Sequence, residues 1–234
     1  MGNIRQGPPE EIVLYLKRTY NVPVFVETGT FLGNTARWAS QHFSAVFTIE
    51  FAEAIYHQAV SAHRHISHIA FLYGHTREKL AEVVNTLSTP AIFWLDAHWS
   101  DGATYGANDE CPVLDEVTII LQSAQDHIIL IDDARMFLAP PPHPHHSAAW
   151  PDLSTIIYAL NTRGERYNVV LEDVIISAPA SAKAELRDYF QHYTTGQLRQ
   201  KQPAARPGLL NKVQRAYQQA TGLARRVRPP HVKR

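Results

Sequence analysis

The sequence predicts an α/β fold, in which a doubly wound, mostly parallel sheet of seven strands closes with a C-terminal antiparallel hairpin. Short apolar runs recur at intervals too wide for hairpins, and each is followed by a stretch with helical spacing, which is typical of β-α-β units. Runs such as 128–131 are apolar at every position, as expected for strands that helices cover on both faces. The five predicted parallel strands are 24–27, 46–50, 69–73, 91–96 and 128–132.

The end of the predicted sheet differs from its beginning. Segments 167–171 and 174–177 are rich in β-forming residues and are separated by only two residues, which predicts an antiparallel hairpin. The proline-rich stretch 140–146 cannot continue a helix or a central strand, so we expect a surface loop there, followed by a helix at 153–160. These elements make up a Rossmann-like domain that we place at residues 1–190.

The remaining residues, 191–234, are expected to form a basic and partly helical tail. From residue 189 onward the chain has ten Lys and Arg residues but no Asp or Glu, whereas residues 1–188 have 12 basic and 22 acidic side chains. Apolar residues recur with helical spacing between Leu209 and Leu223. Such a tail can bind an anionic surface, either membrane or nucleic acid, or it can simply be solvated.

Composition restricts the class of protein. No apolar run reaches the roughly 18 residues of a membrane-spanning helix, and residues 1–9 lack the pattern of a secretory signal. Cys111 is the only cysteine, so no internal disulfide can form, which fits a reducing compartment. Because Cys111 lies directly before Pro112 at a predicted helix start, we interpret it as structural. The sequence therefore favours a soluble, cytoplasmic protein.

Four of the five predicted parallel strands end in carboxylates. These are Glu27, Glu50, Asp96 and the pair Asp132 and Asp133. The carboxyl ends of parallel strands meet at one edge of a doubly wound sheet, where ligands bind. Carboxylates gathered there repel one another unless a cation, ligand hydroxyls or donor side chains compensate the repulsion. The pattern therefore predicts a binding site at this edge.

The turn after the first predicted strand reads Glu-Thr-Gly-Thr-Phe-Leu-Gly over residues 27–33. Gly29 permits a tight turn and the close approach of a ligand, and Gly33 permits the next helix to pack closely. The third glycine of a dinucleotide-binding turn is absent. The spacing Glu-x-Gly-x-x-x-Gly resembles motif I of class I S-adenosylmethionine (SAM)-dependent methyltransferases, most closely the small metal-dependent O-methyltransferases of the catechol and caffeoyl-CoA type. A purely structural glycine turn is the alternative.

The resemblance continues along the chain and implies a SAM site. Glu50 lies about twenty residues after the turn, where the family binds the ribose hydroxyls. Segment 73–80 is similar to the family's turn beside the adenine, with His75 in place of the usual Asp. By this resemblance the cofactor-binding residues are Glu27, Thr28, Gly29, Thr30, Gly33, Asn34, Thr35, Glu50, Gly74, His75, Thr76 and Asp96.

The same resemblance implies a divalent metal. Segment 93–99 is similar to the family's fourth strand end, and segment 131–133 resembles the end of its fifth strand. Asp96, Asp132 and Asp133 would then hold Mg²⁺, a cation that prefers oxygen ligands. The ion would orient an acceptor hydroxyl and lower its pKa. Alternatively, Asp96 and Asp133 cap the segments that follow them.

The general base expected from the family is missing. The family has a catalytic lysine shortly after the strand-four aspartate, yet here no lysine occurs between Asp96 and Lys183. His98 is the nearest substitute, because the unperturbed histidine pKa of about 6.5 suits proton abstraction at neutral pH. A structural hydrogen bond is the alternative role for this histidine. Asp96 and His98 are therefore the expected catalytic residues.

Three further features have no fixed role at this stage. Arg135 follows the carboxylate pair and can either form a salt bridge with it or bind an anionic acceptor. Loop 100–112 has the composition of a mobile lid or of an ordinary connection. The loop histidines His143, His145 and His146 are a candidate site for a transition metal.

These observations lead us to expect a SAM-dependent, Mg²⁺-assisted O-methyltransferase acting on a small hydroxylated acceptor, such as a sugar or a natural-product intermediate. One alternative is a non-catalytic protein with the SAM-binding fold, docked by its basic tail. Another is a metal-dependent hydrolase that uses the carboxylate cluster without SAM. Asp-Ala-His at 96–98 also occurs in the binuclear manganese sites of arginase-like enzymes, but the adjacent Asp132 and Asp133 lack the spacing of such a site. Small O-methyltransferases often dimerise, so the resemblance also implies a homodimer.

Overall fold

The structure, a computed structural model, describes residues 6–99, 106 and 109–201. The chain divides into two units, Met1–Lys183 and Ala184–Arg234, and the sheet belongs to the first. The predicted amphipathic helix between residues 209 and 223 lies outside the described residues, as do most of the predicted tail and most of the predicted lid. The proposed domain boundary at residue 190 therefore stays a prediction.

A seven-stranded sheet runs through the first unit, with strand order β3-β2-β1-β4-β5-β7-β6. Strands β1 to β5 pair in parallel, whereas β7 is antiparallel to both β5 and β6. This arrangement confirms the predicted doubly wound sheet and its closing hairpin. The strands are β1 Val24–Thr28, β2 Ala45–Glu50, β3 Ile69–Tyr73, β4 Ala91–Leu95, β5 Ile128–Ile131, β6 Arg166–Leu171 and β7 Val174–Pro179.

Helices connect the parallel strands, as the helical spacing between the apolar runs predicted. The connecting helices are α2 Asn34–Ser40, α3 Glu53–His63, α4 Thr76–Thr86 and α5 Val113–Ile120; α1 Glu10–Thr19 precedes β1, and α6 Arg135–Leu138 and α7 Leu153–Leu160 lie between β5 and β6. The longer α8, Lys183–Lys201, leads into the second unit. Among the described residues we find no helix with the length and apolar character needed to cross a membrane.

The central strands are buried along their whole length. Every residue of β1, β4 and β5 is buried, and Phe93 and Ile129 on neighbouring strands are completely inaccessible to solvent. Val117 and Ile120 of α5 belong to the same core. Because helices cover both faces of these strands, apolar side chains are buried at successive positions, which explains the continuous apolar runs of the sequence.

The closing hairpin has an unusual turn. Glu172 and Asp173 connect β6 to β7 and both have positive φ, 54° and 65°, the conformation of a type I′ turn that normally favours Asn and Gly. The turn is held from outside the hairpin, since the Ala134 amide donates to the Asp173 carbonyl at 2.7 Å. The Arg135 amide also donates to Asp173 Oδ1 at 2.9 Å. Tertiary contacts thus support a turn sequence that is poor by local preference.

The sheet opens a crevice where its strand order reverses. β1 is followed in the chain by β2 on one side, while β4 pairs with β1 on the other side. This is the topological switch point at which doubly wound sheets bind ligands. The backbone continues the strand pairing just beyond the strands, because the Asp96 amide donates to the Thr28 carbonyl and the Asp132 amide to the Leu95 carbonyl, each at 3.1 Å. The strand-end carboxylates therefore lie side by side.

Candidate functional site

The glycine turn after β1 is required by the protein's own packing. Gly29 has φ +85°, and a Cβ added to it would collide with the main-chain oxygen of Asp96 at the end of β4. Gly33 has φ +74° at the N-cap of α2, where a Cβ would lie 2.7 Å from the His63 ring. The structural role considered for these glycines is therefore real.

Glu27 is buried beneath this turn. The Thr48 hydroxyl donates to Glu27 Oε2 at 2.6 Å, and the Thr30 hydroxyl lies 2.6 Å from the Thr48 hydroxyl. Burial raises the pKa of Glu27 to about 8, an effect that the Thr48 hydrogen bond opposes and the nearby Asp96 carboxylate reinforces. Glu27 is therefore neutral at neutral pH, so it supports the turn as a hydrogen-bonding group without adding charge.

Glu50 ends β2 beside the turn with its carboxylate fixed by the backbone. Its Oε2 accepts the Phe31 amide at 2.9 Å, and its Oε1 accepts the Ala52 amide at 2.8 Å. Each carboxylate oxygen can accept two hydrogen bonds, so each one retains the capacity to accept another. The geometry suits a ligand that offers two adjacent hydroxyls.

A pocket of about 250 Å³ opens between the turn and the ends of β2 and β4. Glu50 lies on its wall with Phe51, and the Phe51 ring meets His75 edge-on with centroids 5.3 Å apart. His75 Nδ1 accepts the Arg77 amide at 3.2 Å and so caps α4, as an aspartate would in this position. The pocket is lined by Gly29, Phe31, Ile49, Glu50, Phe51, His75, Thr76, Asp96, Ala97, His98, Gly106, Asp109 and Pro112.

A salt-bridge network fixes one edge of this pocket. Arg77 donates to Asp109 through both terminal nitrogens of its guanidinium and to Asp115 through Nε at 2.5 Å. Asp109 also lies 3.3 Å from His75 Nε2. These contacts attach residue 109, at the far end of the loop that begins after β4, to the start of α4.

A second pocket, of about 690 Å³, lies on the other side of the glycine turn. Gly29, Phe31 and Asp96 line both pockets, so the two meet at the ends of β1 and β4. The second pocket is lined by Gln6, Gly7, Pro8, Glu10, Glu27, Gly29, Thr30, Phe31, Leu32, Asn34, Thr35, Arg37, Trp38, Gln41, Asp96 and Asp132. A ligand that extends from the first pocket past Asp96 would thus meet a molecule bound in the second.

His98 lies between two of the strand-end carboxylates. Its Nε2 is 2.9 Å from Asp133 Oδ2, its Nδ1 is 3.7 Å from Asp96 Oδ1, and only 8% of its side chain is exposed. Burial alone would lower the pKa of His98, but the hydrogen bond to Asp133 and the Asp96 charge raise it above its usual value. The structure therefore shows the structural hydrogen bond that was the alternative for this histidine. Its role as a base stays a prediction.

Arg135 extends the group of charged side chains that contact His98 and Asp133. It pairs with Asp133 Oδ1 at 2.6 Å and also binds the carboxylate of the buried Asp173. Of the two roles considered for Arg135, the structure shows the salt bridge. Asp96, His98, Asp133, Arg135 and Asp173 consequently form one continuous array across the ends of β4 and β5.

The residues of the expected metal site lie in or beside this array. Within the described residues, no group of three or more His, Cys, Asp or Glu side chains is arranged to hold a metal ion. Both oxygens of Asp133 are engaged, one by His98 and the other by Arg135. Asp132 Oδ1 accepts the Asp133 amide at 2.7 Å. Two of the three carboxylates predicted to hold Mg²⁺ thus already accept hydrogen bonds from protein groups, and the Mg²⁺ site stays a prediction.

The remaining predicted residues occupy supporting positions. Asn34 and Thr35 begin α2, and Thr76 begins α4. Thr28 ends β1, where its hydroxyl lies 3.4 Å from the Asp96 amide. Gly74 follows β3 with φ 141°, and its amide donates to the Glu50 carbonyl at 3.0 Å. All of them lie at the carboxyl edge of the sheet, as the sequence predicted.

Sequence reasoning missed the role of Glu110. Its side chain is 1% exposed and accepts the Trp150 indole N–H at 2.7 Å and the His146 amide at 3.0 and 3.1 Å. Trp150 meets the His98 ring with centroids 5.5 Å apart. The proline-rich loop and the residues after it therefore pack against one side of the carboxylate array. Its three histidines belong to no metal cluster in the part of the chain that is described. No local pattern links a lone Glu to a Trp forty residues later.

Two further buried groups complete the surroundings of the site. Glu116 of α5 lies beneath β1, and burial raises its pKa to about 7. The Cys111 thiol is also desolvated, which raises its pKa to about 12. A thiol with such a pKa is not a nucleophile at neutral pH, in agreement with the structural interpretation of this cysteine.

Comparisons with known proteins identify the fold. No family model and no curated protein matches the chain. Among solved structures, an O-methyltransferase from Bacillus cereus in complex with SAH is 16% identical, with a TM-score of 0.52 over 73% of this chain and 80% of that one. A protein from Staphylococcus aureus classed as a caffeoyl-CoA O-methyltransferase is 13% identical, with a TM-score of 0.51 over 76% and 86%. The chain thus has the fold of these small O-methyltransferases, as the resemblance in its sequence implied.

Proposed function

We propose that this protein is a SAM-dependent O-methyltransferase whose acceptor is a small hydroxylated molecule. The observation that carries the proposal is the position of Glu50: it faces a pocket that meets a second pocket at Asp96, within the fold of a methyltransferase solved with SAH. Two connected pockets are what a transfer between a cofactor and an acceptor requires. Of the residues predicted to bind the cofactor, the first pocket is lined by Gly29, Glu50, His75, Thr76 and Asp96, whereas Glu27, Thr30, Asn34 and Thr35 line the second.

The residues of the first pocket fit the adenosyl part of SAM. The Glu50 carboxylate keeps one accepting position on each oxygen, which matches the two hydroxyls of a ribose. Phe51 and His75 supply aromatic groups on the same wall for a base. Gly29 lines both pockets at the point where they meet. When bound, SAM supplies an electrophilic methyl group on a sulfonium centre.

The protein's own groups then have to orient the acceptor hydroxyl and remove its proton. Asp96 is the ionisable group that borders both pockets and is therefore the proposed proton acceptor. His98, which the sequence analysis considered as the base, contacts Asp96 and Asp133 and is proposed instead to fix the Asp96 carboxylate and to balance its charge. Holding the reacting oxygen in line with the methyl group supplies the rest of the rate enhancement. No step of this mechanism uses Mg²⁺, because both oxygens of Asp133 are engaged by His98 and Arg135.

The second pocket supports a hydroxyl-rich acceptor, such as a sugar or a natural-product intermediate. It presents polar side chains from the segment before α1 and from α2, among them Gln6, Asn34, Arg37 and Gln41. Trp38 adds an aromatic surface that is held by edge contact with the Phe25 ring. Amide and guanidinium groups can bind several hydroxyls, while an indole can pack against an apolar face of the same molecule.

Titration of the purified protein with S-adenosylhomocysteine tests the cofactor site. We expect binding in the micromolar range and a loss of roughly 10- to 100-fold in Glu50→Gln, since the amide can no longer accept from both hydroxyls. Glu53→Gln, on the exposed start of α3, is the matched control and should bind normally. Melting temperatures verify that both variants are folded. Absence of binding by the wild-type protein would overturn the proposal.

An acceptor screen separates the remaining possibilities. Radiolabelled SAM is offered with glycosides and with catechols, and we expect methyl transfer to a hydroxyl-rich member of the panel. Binding of the cofactor without transfer to any hydroxylated compound would favour the non-catalytic alternative. Metal-dependent hydrolysis without any need for SAM would favour the hydrolase.

We also propose that the basic segment from residue 189 onward docks the protein on an anionic surface. The segment contains ten Lys and Arg residues and no Asp or Glu, so its net charge is strongly positive. Sedimentation with phosphatidylserine vesicles, compared with nucleic-acid retention, tests this role. Truncation after Lys201 leaves α8 complete and should abolish retention. Retention that is insensitive to salt or to truncation would contradict it.

The homodimer stays a prediction that light scattering can test.

A further inference from the structure

We propose that Arg135 and His98 take the place of the divalent cation in this site, so that the protein neither binds nor needs a divalent metal. This inference rests on the proposed function, because it concerns how the negative charges of the carboxylates in the same site are compensated. It departs from the small metal-dependent O-methyltransferases that the sequence resembles.

The first step of the argument is the engagement of Asp133. Arg135 Nη1 lies 2.6 Å from Oδ1, and His98 Nε2 lies 2.9 Å from Oδ2. Both contacts are charge-assisted, the stronger class of hydrogen bond. A metal ion would have to displace or share both partners to use this carboxylate. The two donors thus already use both oxygens of Asp133, the carboxylate that the end of β5 would offer to a metal ion.

The second step is the anchoring of Arg135. Asp173 Oδ1 accepts the Arg135 amide at 2.9 Å, and Asp173 Oδ2 accepts from the Arg135 guanidinium. The Asp173 side chain is only 7% exposed and belongs to the β6–β7 turn. If the guanidinium swung away to admit a metal, it would leave a buried carboxylate without its charged partner. The cationic group is therefore a fixed part of the site.

The third step is the repulsion that an ion would meet. Mg²⁺ binds carboxylate oxygens at about 2.1 Å, so an ion on Asp133 Oδ1 would lie no more than about 5 Å from the guanidinium nitrogen Arg135 Nη1. Charges of like sign at this distance repel strongly in a partly buried site. Asp96 faces the other ring nitrogen of His98, at 3.7 Å. The Arg135 charge thus already adjoins Asp133, and the His98 ring lies against both Asp133 and Asp96.

Mn²⁺ is the probe that tests the inference, because its binding is observed directly by electron paramagnetic resonance. The wild-type protein, saturated with S-adenosylhomocysteine, should show no specific Mn²⁺ binding below about millimolar concentration. Methyl transfer should be unchanged by EDTA. Binding of one Mn²⁺ in the micromolar range, or loss of transfer in EDTA that Mg²⁺ restores, would overturn the inference.

A matched pair of variants sharpens the test. Arg135→Met removes the cation and frees Asp133, so Mn²⁺ affinity should rise at least tenfold over the wild type. Arg135→Lys loses the planar guanidinium but keeps the charge, and should show no such rise. Equal affinities in the two variants would contradict the role of the charge. If both variants fail to fold, the wild-type measurement decides alone.

The outcomes also separate this inference from the proposed function. Cofactor binding together with micromolar Mn²⁺ binding would leave a SAM-binding protein that uses a metal, and only the inference would fail. Absence of cofactor binding would remove the proposed function, whereas the Mn²⁺ result would still report whether the carboxylate array accepts a cation.

Discussion

The imidazole of His98 donates through Nε2 to Asp133 Oδ2 at 2.9 Å, and 8% of the histidine side chain and 23% of the aspartate side chain are exposed. The pair joins the end of β4 to the end of β5. Because both groups are largely withdrawn from water, their interaction is screened little. The orientation of His98 toward Asp96 therefore depends on a carboxylate that does not itself border the first pocket.

Asp133→Asn tests this dependence. The amide cannot hold His98 and Arg135 by charge, so we expect kcat for methyl transfer to fall on the order of tenfold or more, with the dissociation constant for S-adenosylhomocysteine within about twofold of wild type. Asp126→Asn, a carboxylate before β5 at the other end of that strand, is the control. Equal kcat in the two variants would show that Asp133 does not position the site.

The contacts of Arg77 permit a comparison between two carboxylates that share one partner. Asp109 and Asp115 both accept from the Arg77 guanidinium, but only Asp109 lines the first pocket. We expect Asp109→Asn to weaken binding of S-adenosylhomocysteine about three- to fivefold, in keeping with a partly exposed ion pair. Asp115→Asn should leave it unchanged. Calorimetric titration of both variants is the measurement, and equal losses would place the effect on Arg77 rather than on the pocket.

Glu27 predicts a pH dependence of stability. Burial raises its pKa to about 8 from the ordinary glutamate value of 4.5, so between these values the folded protein retains a proton that the unfolded chain has lost. Unfolding then releases this proton, and the free energy of unfolding falls by about 1.4 kcal/mol per pH unit as pH rises through the window. The stabilisation is complete below the lower value and lost on approach to the higher one.

Glu27→Gln should remove this contribution while keeping a neutral side chain of similar shape. Urea unfolding at pH 5, 6, 7 and 8 should show a flatter stability profile than that of the wild type. Glu78→Gln, exposed in the first turn of α4, should follow the wild-type slope. Parallel profiles for wild type and Glu27→Gln would mean that Glu27 is ionised in the folded protein.

Asp173 is expected to contribute strongly to stability through Arg135. Its side chain is 7% exposed, and Asp173→Ala should lower the free energy of unfolding by about 2 to 3 kcal/mol, because it breaks a mostly buried charged pair. Glu82→Ala breaks the exposed pair with Lys79 and should cost less than about 1 kcal/mol. Urea denaturation compares the two. Similar costs would show that the hairpin turn does not depend on this contact.

Much of the site could be predicted because its elements follow local rules. Apolar residues at every position of 128–131 reflect a strand covered on both faces, and the positions of Glu27 and Glu50 at strand ends follow from where these runs stop. The positive φ of Gly29 likewise agrees with the turn that its spacing predicted. Such features depend on a few neighbouring residues. The sequence alone therefore determined the strands, their order along the chain and the edge of the sheet that carries the site.

The tertiary structure alone decided how the side chains at that edge pair. Asp133 follows Asp132 with φ 54°, and its oxygens are engaged by His98 from β4 and by Arg135 from α6. Asp173 reaches the same array from a turn some forty residues later. Local spacing cannot distinguish a carboxylate that binds a metal from one that is neutralised by a distant cation, because the two differ only in which groups the folded chain brings into contact.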